Sequence, residues 1–173
     1  MDRTKRTIEA AIFLSQEPVA LEKLSEKLGL EIKEVERVIE ELLEEYKSRG
    51  IILRKVAGGY KFFTAPDLSD FLKPFIEDKP VKLSRHLLEV LAIIAYKQPI
   101  TKKEIAQIRG QNPDGAIKSL LEKGLIEVAG RSDSPGRPKL YRTTKEFLYH
   151  FGLESIDDLP EISLEEVLDE QSY

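Results

Sequence analysis

Residues 32–64 read IKEVERVIEELLEEYKSRGIILRKVAGGYKFFT, and this stretch decides the fold. Over residues 32–48 the apolar side chains recur every three or four positions, which predicts an amphipathic helix closed by Gly50. Over residues 51–64 the period changes to two, which is typical of β-strands. The Ala-Gly-Gly sequence at 57–59 supplies a tight turn between two such strands. The stretch therefore predicts a helix followed by a β-hairpin.

Two shorter helices are predicted before this stretch. Residues 7–15 carry apolar side chains at helical spacing and are followed by a stop at Pro18. Residues 21–28 form a second amphipathic segment, which ends at Gly29. Three helices and a β-hairpin in this order make a winged-helix domain.

The same plan recurs in the second half of the chain. Four pairs of matching residues are each separated by 81 positions: Pro18 and Pro99, Val19 and Ile100, Leu24 and Ile105, and Gly29 and Gly110. Matches at a fixed offset are typical of repeated structural units. We therefore predict a mainly α chain with small β-hairpin wings, built as two tandem winged-helix domains. The predicted boundaries are 1–79 for the first domain, 80–153 for the second and 154–173 for an acidic tail.

The second copy differs from the first in its details. Thr101 and Glu104 have the spacing of a capping box at the start of its short second helix. Pro113 is predicted to lie in the first turn of the third helix. The remaining predicted elements are a third helix over 113–123, wing strands over 125–128 and 140–143, and a closing helix over 145–151. Residues 66–79 also predict a helix, kinked or ended by Pro74, that closes the first domain.

Composition argues against most enzyme classes. The chain has no cysteine, which excludes disulfides, thiolate metal sites and a cysteine nucleophile and fits a reducing cytoplasm. The only histidines, His86 and His150, lie in different predicted helices without zinc-ligand spacing. The glycine-containing loop at 130–138 lacks the Lys-Ser/Thr of a phosphate-binding P-loop. We expect no enzymatic activity, no cofactor, no metal site, no signal peptide and no membrane span.

Charge separates the two predicted domains. A winged helix that reads DNA places its third helix in the major groove, yet residues 31–45 carry two basic and seven acidic residues. Residues 80–151 carry 13 basic and 7 acidic residues, whereas residues 152–173 carry eight acidic and no basic ones. The basic side chains of the second domain could bind phosphate, bind an acidic protein segment, or form an ordinary solvated face. They include Lys97, Lys102, Lys103, Arg109, Lys118, Arg131, Arg137 and Lys139. Protein binding is favoured, and a DNA-binding transcriptional regulator remains the alternative.

The second half of the chain resembles one protein family closely. The longest matching stretch is EVLAIIAYKQPIT at 89–101, followed by LLEKGLI at 120–126 and GRP at 136–138. Shorter matches in the same order include Leu140-Tyr141, Thr143-Thr144, Phe147-Leu148, Phe151-Gly152-Leu153 and Asp158-Leu159-Pro160. The pattern resembles the segregation and condensation protein B family, ScpB. Arg142 and Gln111 depart from it, since the family commonly has Gly and Val at these two positions.

The resemblance implies a function for the chain. It implies a non-enzymatic subunit of the bacterial SMC condensin complex that acts in chromosome condensation and segregation. Such a subunit forms a homodimer and binds the kleisin ScpA, which bridges the SMC ATPase. The resemblance further implies a cytoplasmic, nucleoid-associated protein whose association with DNA is indirect.

Two sets of candidate site residues follow. Tyrosine and arginine often anchor protein interfaces, and the densest family signature lies in the second domain. The residues predicted to bind the kleisin are Tyr96, Gln98, Pro99, Arg109, Arg137 and Tyr141, with the alternative that Pro99 and Tyr141 only hold the fold. Dimerisation is predicted through the first domain, whose first helix is apolar and whose third helix is long for a small domain. The residues chosen for it are Ile8, Ile12 and Phe13.

Overall fold

The structure is a computed structural model that describes residues 3–75 and 83–161 of the chain. Its described residues form two compact units. Unit 1 runs to residue 75 and includes Gly152–Ser155, and unit 2 consists of residues 83–151 and 156–161. The predicted second domain included residues 152 and 153, which the structure instead groups with unit 1. There the backbone N–H of Ala57 donates to the carbonyl oxygen of Leu153 at 2.8 Å.

Unit 1 has three helices, a hairpin and a further short helix. They are α1 (Arg3–Leu14), α2 (Leu21–Leu28), α3 (Ile32–Glu45), β1 (Ile51–Val56), β2 (Gly59–Thr64) and α4 (Ser69–Leu72). The strands pair antiparallel, and Ala57 and Gly58 both have positive φ, at 50° and 76°. A two-residue turn with two positive φ values matches the right-handed twist of the strands it joins. The predicted helix, turn and hairpin are confirmed.

The core of unit 1 is made from the apolar stripes of these elements. Val35, Val38, Ile39 and Leu42 of α3 are all buried. Backbone hydrogen bonds of 2.9 Å in both directions join Val19 to Tyr60, so the segment before α2 lies against the wing. The apolar stripes of these helices therefore form the interior of unit 1.

Two predictions for unit 1 need correction. The third helix was predicted over 32–48, but α3 ends at Glu45 and residues 46–48 form a turn. Tyr46 is drawn into the core, where its hydroxyl donates to a Glu9 carboxylate oxygen, and this bond raises the pKa of the tyrosine. The predicted closing helix over 66–79 is α4 flanked by single 3-10 turns, Pro66–Leu68 and Lys73–Phe75, and its residues 76–79 lie outside the described part.

Unit 2 repeats the plan with one extra short strand. Its elements are α5 (Arg85–Lys97), β3 (Ile100–Thr101), α6 (Lys102–Arg109), α7 (Asp114–Glu122), β4 (Ile126–Arg131), β5 (Lys139–Thr143), α8 (Lys145–Phe151) and a 3-10 turn (Ile156–Asp158). The sheet has the order β3-β5-β4 and is antiparallel. Helices with a small wing in both units confirm the predicted fold class.

Local signals explain where α6 begins and ends. The Thr101 hydroxyl accepts from the backbone N–H of Glu104, and the Glu104 carboxylate accepts from the N–H of Thr101 at 2.8 Å. This confirms the predicted capping box. The Thr101 hydroxyl also donates to the Glu104 carboxylate at 2.6 Å, and this bond, followed by the one from the N–H of Thr101, lowers the pKa of Glu104. At the other end Gly110 has φ of 73°, a left-handed conformation that glycine adopts without a steric penalty.

Two boundaries in unit 2 differ from the prediction. Pro113 caps α7 rather than lying in its first turn, and the helix begins at Asp114. The first wing strand was predicted over 125–128 but continues to Arg131. A shift in register between Val128 and Gly130 forms a bulge that lets pairing with β5 resume beyond it. A bulge interrupts the alternation of inward-facing and outward-facing side chains along a strand. The outer half of β4 therefore could not be predicted from an alternating sequence pattern.

Candidate partner-binding site

An apolar groove of 420 Å³ runs along α5 in unit 2. Helix α8 and the segment at 156–161 form its other walls. Leu88 and Phe151, both large and apolar, are each 43% exposed beside it. Its lining consists of Arg85, Leu88, Glu89, Leu91, Ala92, Ala95, Tyr96, Phe147, Phe151 and Leu159. A groove with these walls is suited to an apolar segment of a protein partner.

One end of the groove is charged. Glu89 accepts hydrogen bonds from Arg109 through Nε at 3.2 Å and Nη2 at 3.1 Å, and from Nε of Arg85 at 3.3 Å. The Arg109 side chain is only 7% exposed, whereas that of Arg85 is 63% exposed. Within the described residues, Nη1 of Arg109 is buried without a hydrogen-bond partner. The arrangement makes Arg109 a buried structural cation and leaves Arg85 at the surface.

Tyr96 lies at the other end of the groove. Its hydroxyl donates to the carbonyl oxygen of Pro160 at 2.9 Å, which fixes the segment that follows α8. The ring lines the groove and also a second hollow whose wall includes Gln98, Leu159 and Pro160. Of the predicted partner-binding residues, Tyr96 is the one that lines the apolar groove.

Gln98 and Pro99 connect α5 to the sheet. The amide oxygen of Gln98 accepts from the N–H of Thr143 at 2.7 Å and from its hydroxyl at 3.0 Å. Its amide nitrogen donates to the carbonyl oxygen of Ala95 at 3.1 Å. The bond between Gln98 and Pro99 is cis, and Pro99 is exposed. Gln98 thus holds β5 against the end of α5.

Tyr141 and Arg137 lie in different environments. Tyr141 is buried in the sheet, where it pairs with Ile100 on one side and Val128 on the other. This agrees with the alternative that it holds the fold. Arg137 lies in the loop between β4 and β5, and its side chain is exposed. The partner-binding role of the six predicted residues stays a prediction.

Residues of the groove that sequence reasoning missed include Leu88, Phe147 and Phe151. Phe147 and Phe151 lie within the family matches and Leu88 lies just before them, but apolar residues on an amphipathic helix are ordinarily core residues. The available signal was the width of the apolar surface on α5, since Leu87, Leu88 and Leu91 cover more than one face.

The family can now be established from direct comparison. A family model described as segregation and condensation complex subunit ScpB matches residues 6–162. The chain belongs to the ScpB family. Segregation and condensation protein B of Carboxydothermus hydrogenoformans is 46% identical over 160 residues, which cover 91% of this chain and 86% of that protein. The homolog from Coxiella burnetii is 43% identical over 170 residues, covering 95% and 80%.

Two solved ScpB structures are also similar. ScpB from Mycobacterium tuberculosis is 29% identical, with a TM-score of 0.42, and the match covers 88% of this chain and 98% of that one. A dimer of an ScpB N-terminal domain complexed with ScpA peptide is 28% identical, with a TM-score of 0.39. That match covers 42% of this chain and 93% of that one.

The residues predicted for dimerisation of this ScpB family member do not share one environment. Ile8 and Ile12 are 0% and 1% exposed and belong to the core of unit 1, so they offer no surface to a second copy. The apolar face of α1 points inward because it packs against α3 and β2 in the core of unit 1. Phe13 and the neighbouring Leu14 are instead 73% and 84% exposed at the end of α1.

Metal-binding clusters and membrane-spanning helices are both absent from the described part of this ScpB chain. No cluster of three or more His, Cys, Asp or Glu side chains among residues 3–75 and 83–161 could hold a metal ion. None of the described helices is long and apolar enough to cross a membrane.

Proposed function

We propose that the chain is a non-enzymatic, homodimeric subunit of a bacterial SMC condensin complex. It binds the kleisin ScpA and, through ScpA, joins the SMC ATPase in chromosome condensation and segregation. In this proposal residues 1–79 dimerise, residues 80–153 bind ScpA and the acidic tail is accessory. The protein acts in the cytoplasm at the nucleoid, and its main association with DNA is through the complex. The observation that carries ScpA binding is the open apolar groove of unit 2.

The groove supports this assignment through its shape and chemistry. Its floor is formed by α5, with the small side chains of Ala92 and Ala95 leaving room for a partner. Burying apolar area in such a groove stabilises a complex by roughly 25 cal/mol per Å² before the costs of association. Arg85, which is exposed at one end, can pair with an acidic residue that flanks the apolar face of a helix. Tyr96 supplies an anchor of the type that dominates binding energy at protein interfaces.

Filling the groove tests ScpA binding. We expect Ala92→Trp to raise the Kd for ScpA of the same host at least tenfold, because the indole ring occupies the space of the partner; a tenfold change is about 1.4 kcal/mol. The measurement is isothermal titration calorimetry on the full chain. His86→Trp is the control, since His86 is an exposed residue of α5 outside the lining. Unchanged affinity for Ala92→Trp, at an unchanged melting temperature, would move the ScpA site elsewhere.

The dimer surface is proposed around Phe13 and Leu14. Two adjacent large apolar residues this exposed at a helix end would be costly on a free surface, and covering them favours association. Ile8 and Ile12 support the surface from within unit 1.

A charge at this surface tests the dimer. Phe13→Glu is expected to raise the dimer dissociation constant at least tenfold, because a carboxylate would be desolvated at the interface. Sedimentation equilibrium of the full chain measures the change. Phe71→Glu is the matched control, since Phe71 is 76% exposed on a different helix of unit 1. Equal effects of the two variants, or dimerisation unaffected by Phe13→Glu, would refute the placement of the surface.

A further inference from the structure

The wing of unit 2 ends in a loop that does not line the apolar groove. The loop, residues 132–138, joins β4 to β5 and reads SDSPGRP. Three exposed basic residues lie in the loop or at its edges: Arg131, Arg137 and Lys139. Residues 131–139 contain a single acidic residue, Asp133. In unit 1, two residues join the corresponding strands. The second wing is therefore longer and carries a net positive charge.

The pairing of charges along this hairpin changes sign. Near its base Glu127 lies directly opposite Arg142, and the two form an ion pair at 2.7 Å. Beyond the bulge Arg131 lies directly opposite Lys139. Like charges at directly opposed positions destabilise an antiparallel pair, so folding alone does not favour this arrangement. An anion bound at the outer end would remove the repulsion.

Hydrogen bonds within the loop hold these cations in place. The guanidinium of Arg131 donates to the carbonyl oxygen of Arg137 at 3.0 Å through Nη1, which leaves its other N–H groups for a ligand. The N–H of Ser132 donates to the carbonyl oxygen of Pro138, and that of Arg137 to Ser134, each at 2.9 Å. Arg137 has φ of 43°, a conformation that residues other than glycine rarely adopt. These hydrogen bonds hold the outer wing in one defined conformation.

We propose that the outer wing of unit 2, through Arg131, Arg137 and Lys139, binds the phosphate backbone of duplex DNA without reading its sequence. Phosphate contacts require cations and small hydrogen-bond donors. The loop offers both, because the hydroxyls of Ser132 and Ser134 bond to each other at 2.7 Å and this leaves one hydroxyl proton of the pair for a ligand. An acidic protein segment is less well matched. Arginine can anchor a protein interface, but such anchors lie in well-packed, desolvated pockets, whereas Arg131 and Arg137 are exposed in a loop whose only large apolar residues are prolines.

This contact goes beyond the proposed function and does not depend on ScpA binding. In the complex, association with DNA runs mainly through the other subunits. The wing adds a weak contact of its own, whose strength depends steeply on salt because each neutralised phosphate releases counterions. The acidic α3 of unit 1 plays no part in it.

A charge reversal that improves the hairpin tests the proposal. Lys139→Glu places a carboxylate opposite Arg131, so the melting temperature is expected to hold or rise while DNA binding is lost. Fluorescence anisotropy of a labelled mixed-sequence duplex with the full chain measures Kd between about 50 and 200 mM salt. Each lost phosphate contact lowers the slope of log Kd against log salt by about 0.9. We expect the slope to fall by about two and Kd near 0.1 M salt to rise at least tenfold.

The control is Lys23→Glu, which makes the same change in net charge at an exposed position of α2 in unit 1. It should leave Kd for the duplex within about twofold. Arg137→Asn is a second variant, because asparagine tolerates positive φ, and it should lower the slope by about one. Equal weakening by Lys139→Glu and Lys23→Glu, or no binding of the duplex by the unmodified chain, would overturn the proposal. So would tighter binding of polyglutamate than of the duplex, lost in Lys139→Glu, which would assign the wing to an acidic protein.

Discussion

Glu89→Ala is expected to lower the free energy of unfolding of unit 2 by about 3 kcal/mol or more. Arg109 is almost fully buried, and its hydrogen bonds from Nε and Nη2 both go to Glu89. Nη1 already lacks a partner among the described residues, so the substitution leaves the whole guanidinium buried and uncompensated. Urea denaturation of the full chain, followed by circular dichroism, measures the loss.

Two variants separate the charge effect from a loss of packing. Arg85→Ala removes the exposed partner of Glu89 and should change the free energy of unfolding by less than about 1 kcal/mol. The double variant Glu89→Leu with Arg109→Met replaces the pair by apolar side chains and should recover most of the loss. If Glu89→Ala costs less than about 1 kcal/mol, the pair is not the buried structural unit described here. Because Arg109 is buried on Glu89, substitutions of Arg109 change stability as well as any contact with a partner.

Gly59→Ala is expected to destabilise unit 1 by about 2 to 4 kcal/mol. A Cβ at Gly59 would lie 2.8 Å from the carbonyl carbon of Pro18 and 2.8 Å from the nitrogen of Val19. These are backbone atoms that cannot rotate away, so the segment must move and its two hydrogen bonds to Tyr60 must weaken. Thermal and urea denaturation of the full chain both report the change.

Gly50→Ala is the matched control in the same unit. There an added Cβ would meet only Cδ1 of Leu68, at the ordinary contact distance of 3.6 Å. We expect its free energy of unfolding to lie within about 0.5 kcal/mol of the unmodified chain. Similar losses at both glycines would show that the wing does not press on the segment before α2 as closely as described.

Several features of the fold could be predicted because they depend on neighbours in the chain. Apolar residues that recur every three or four positions predicted the three helices of unit 1, and those that recur every two positions predicted its hairpin. The turn of the hairpin depends only on residues next to one another in the chain. The capping box at Thr101 and Glu104 involves residues three positions apart, so the pattern was sufficient. Helix α3 ends three residues earlier than predicted, with Tyr46 as its C-cap, and the hydroxyl of Tyr46 bonds to Glu9, which is distant in sequence.

The candidate site depended far more on tertiary structure. The sequence identified Tyr96 as a surface candidate, and the structure places it in the groove. It also grouped Gln98, Arg109 and Tyr141 with it, although these three make hydrogen bonds, an ion pair or sheet contacts within unit 2. Residue type alone does not distinguish an arginine that binds a partner from one that is neutralised by Glu89, twenty positions earlier.

By itself the sequence determined the order of helices and strands, the internal repeat, the unequal charge of the two halves and the family, because each is written in local patterns or residue identity. Tertiary structure alone decided which apolar residues are covered. Ile8 and Ile12 are buried while Phe13, next to Ile12, is exposed, and Leu88 is left open along a groove. It also decided that Arg131 faces Lys139, since a bulge sets that register. Exposure and register depend on which distant segments pack together, and neither periodicity nor composition encodes that.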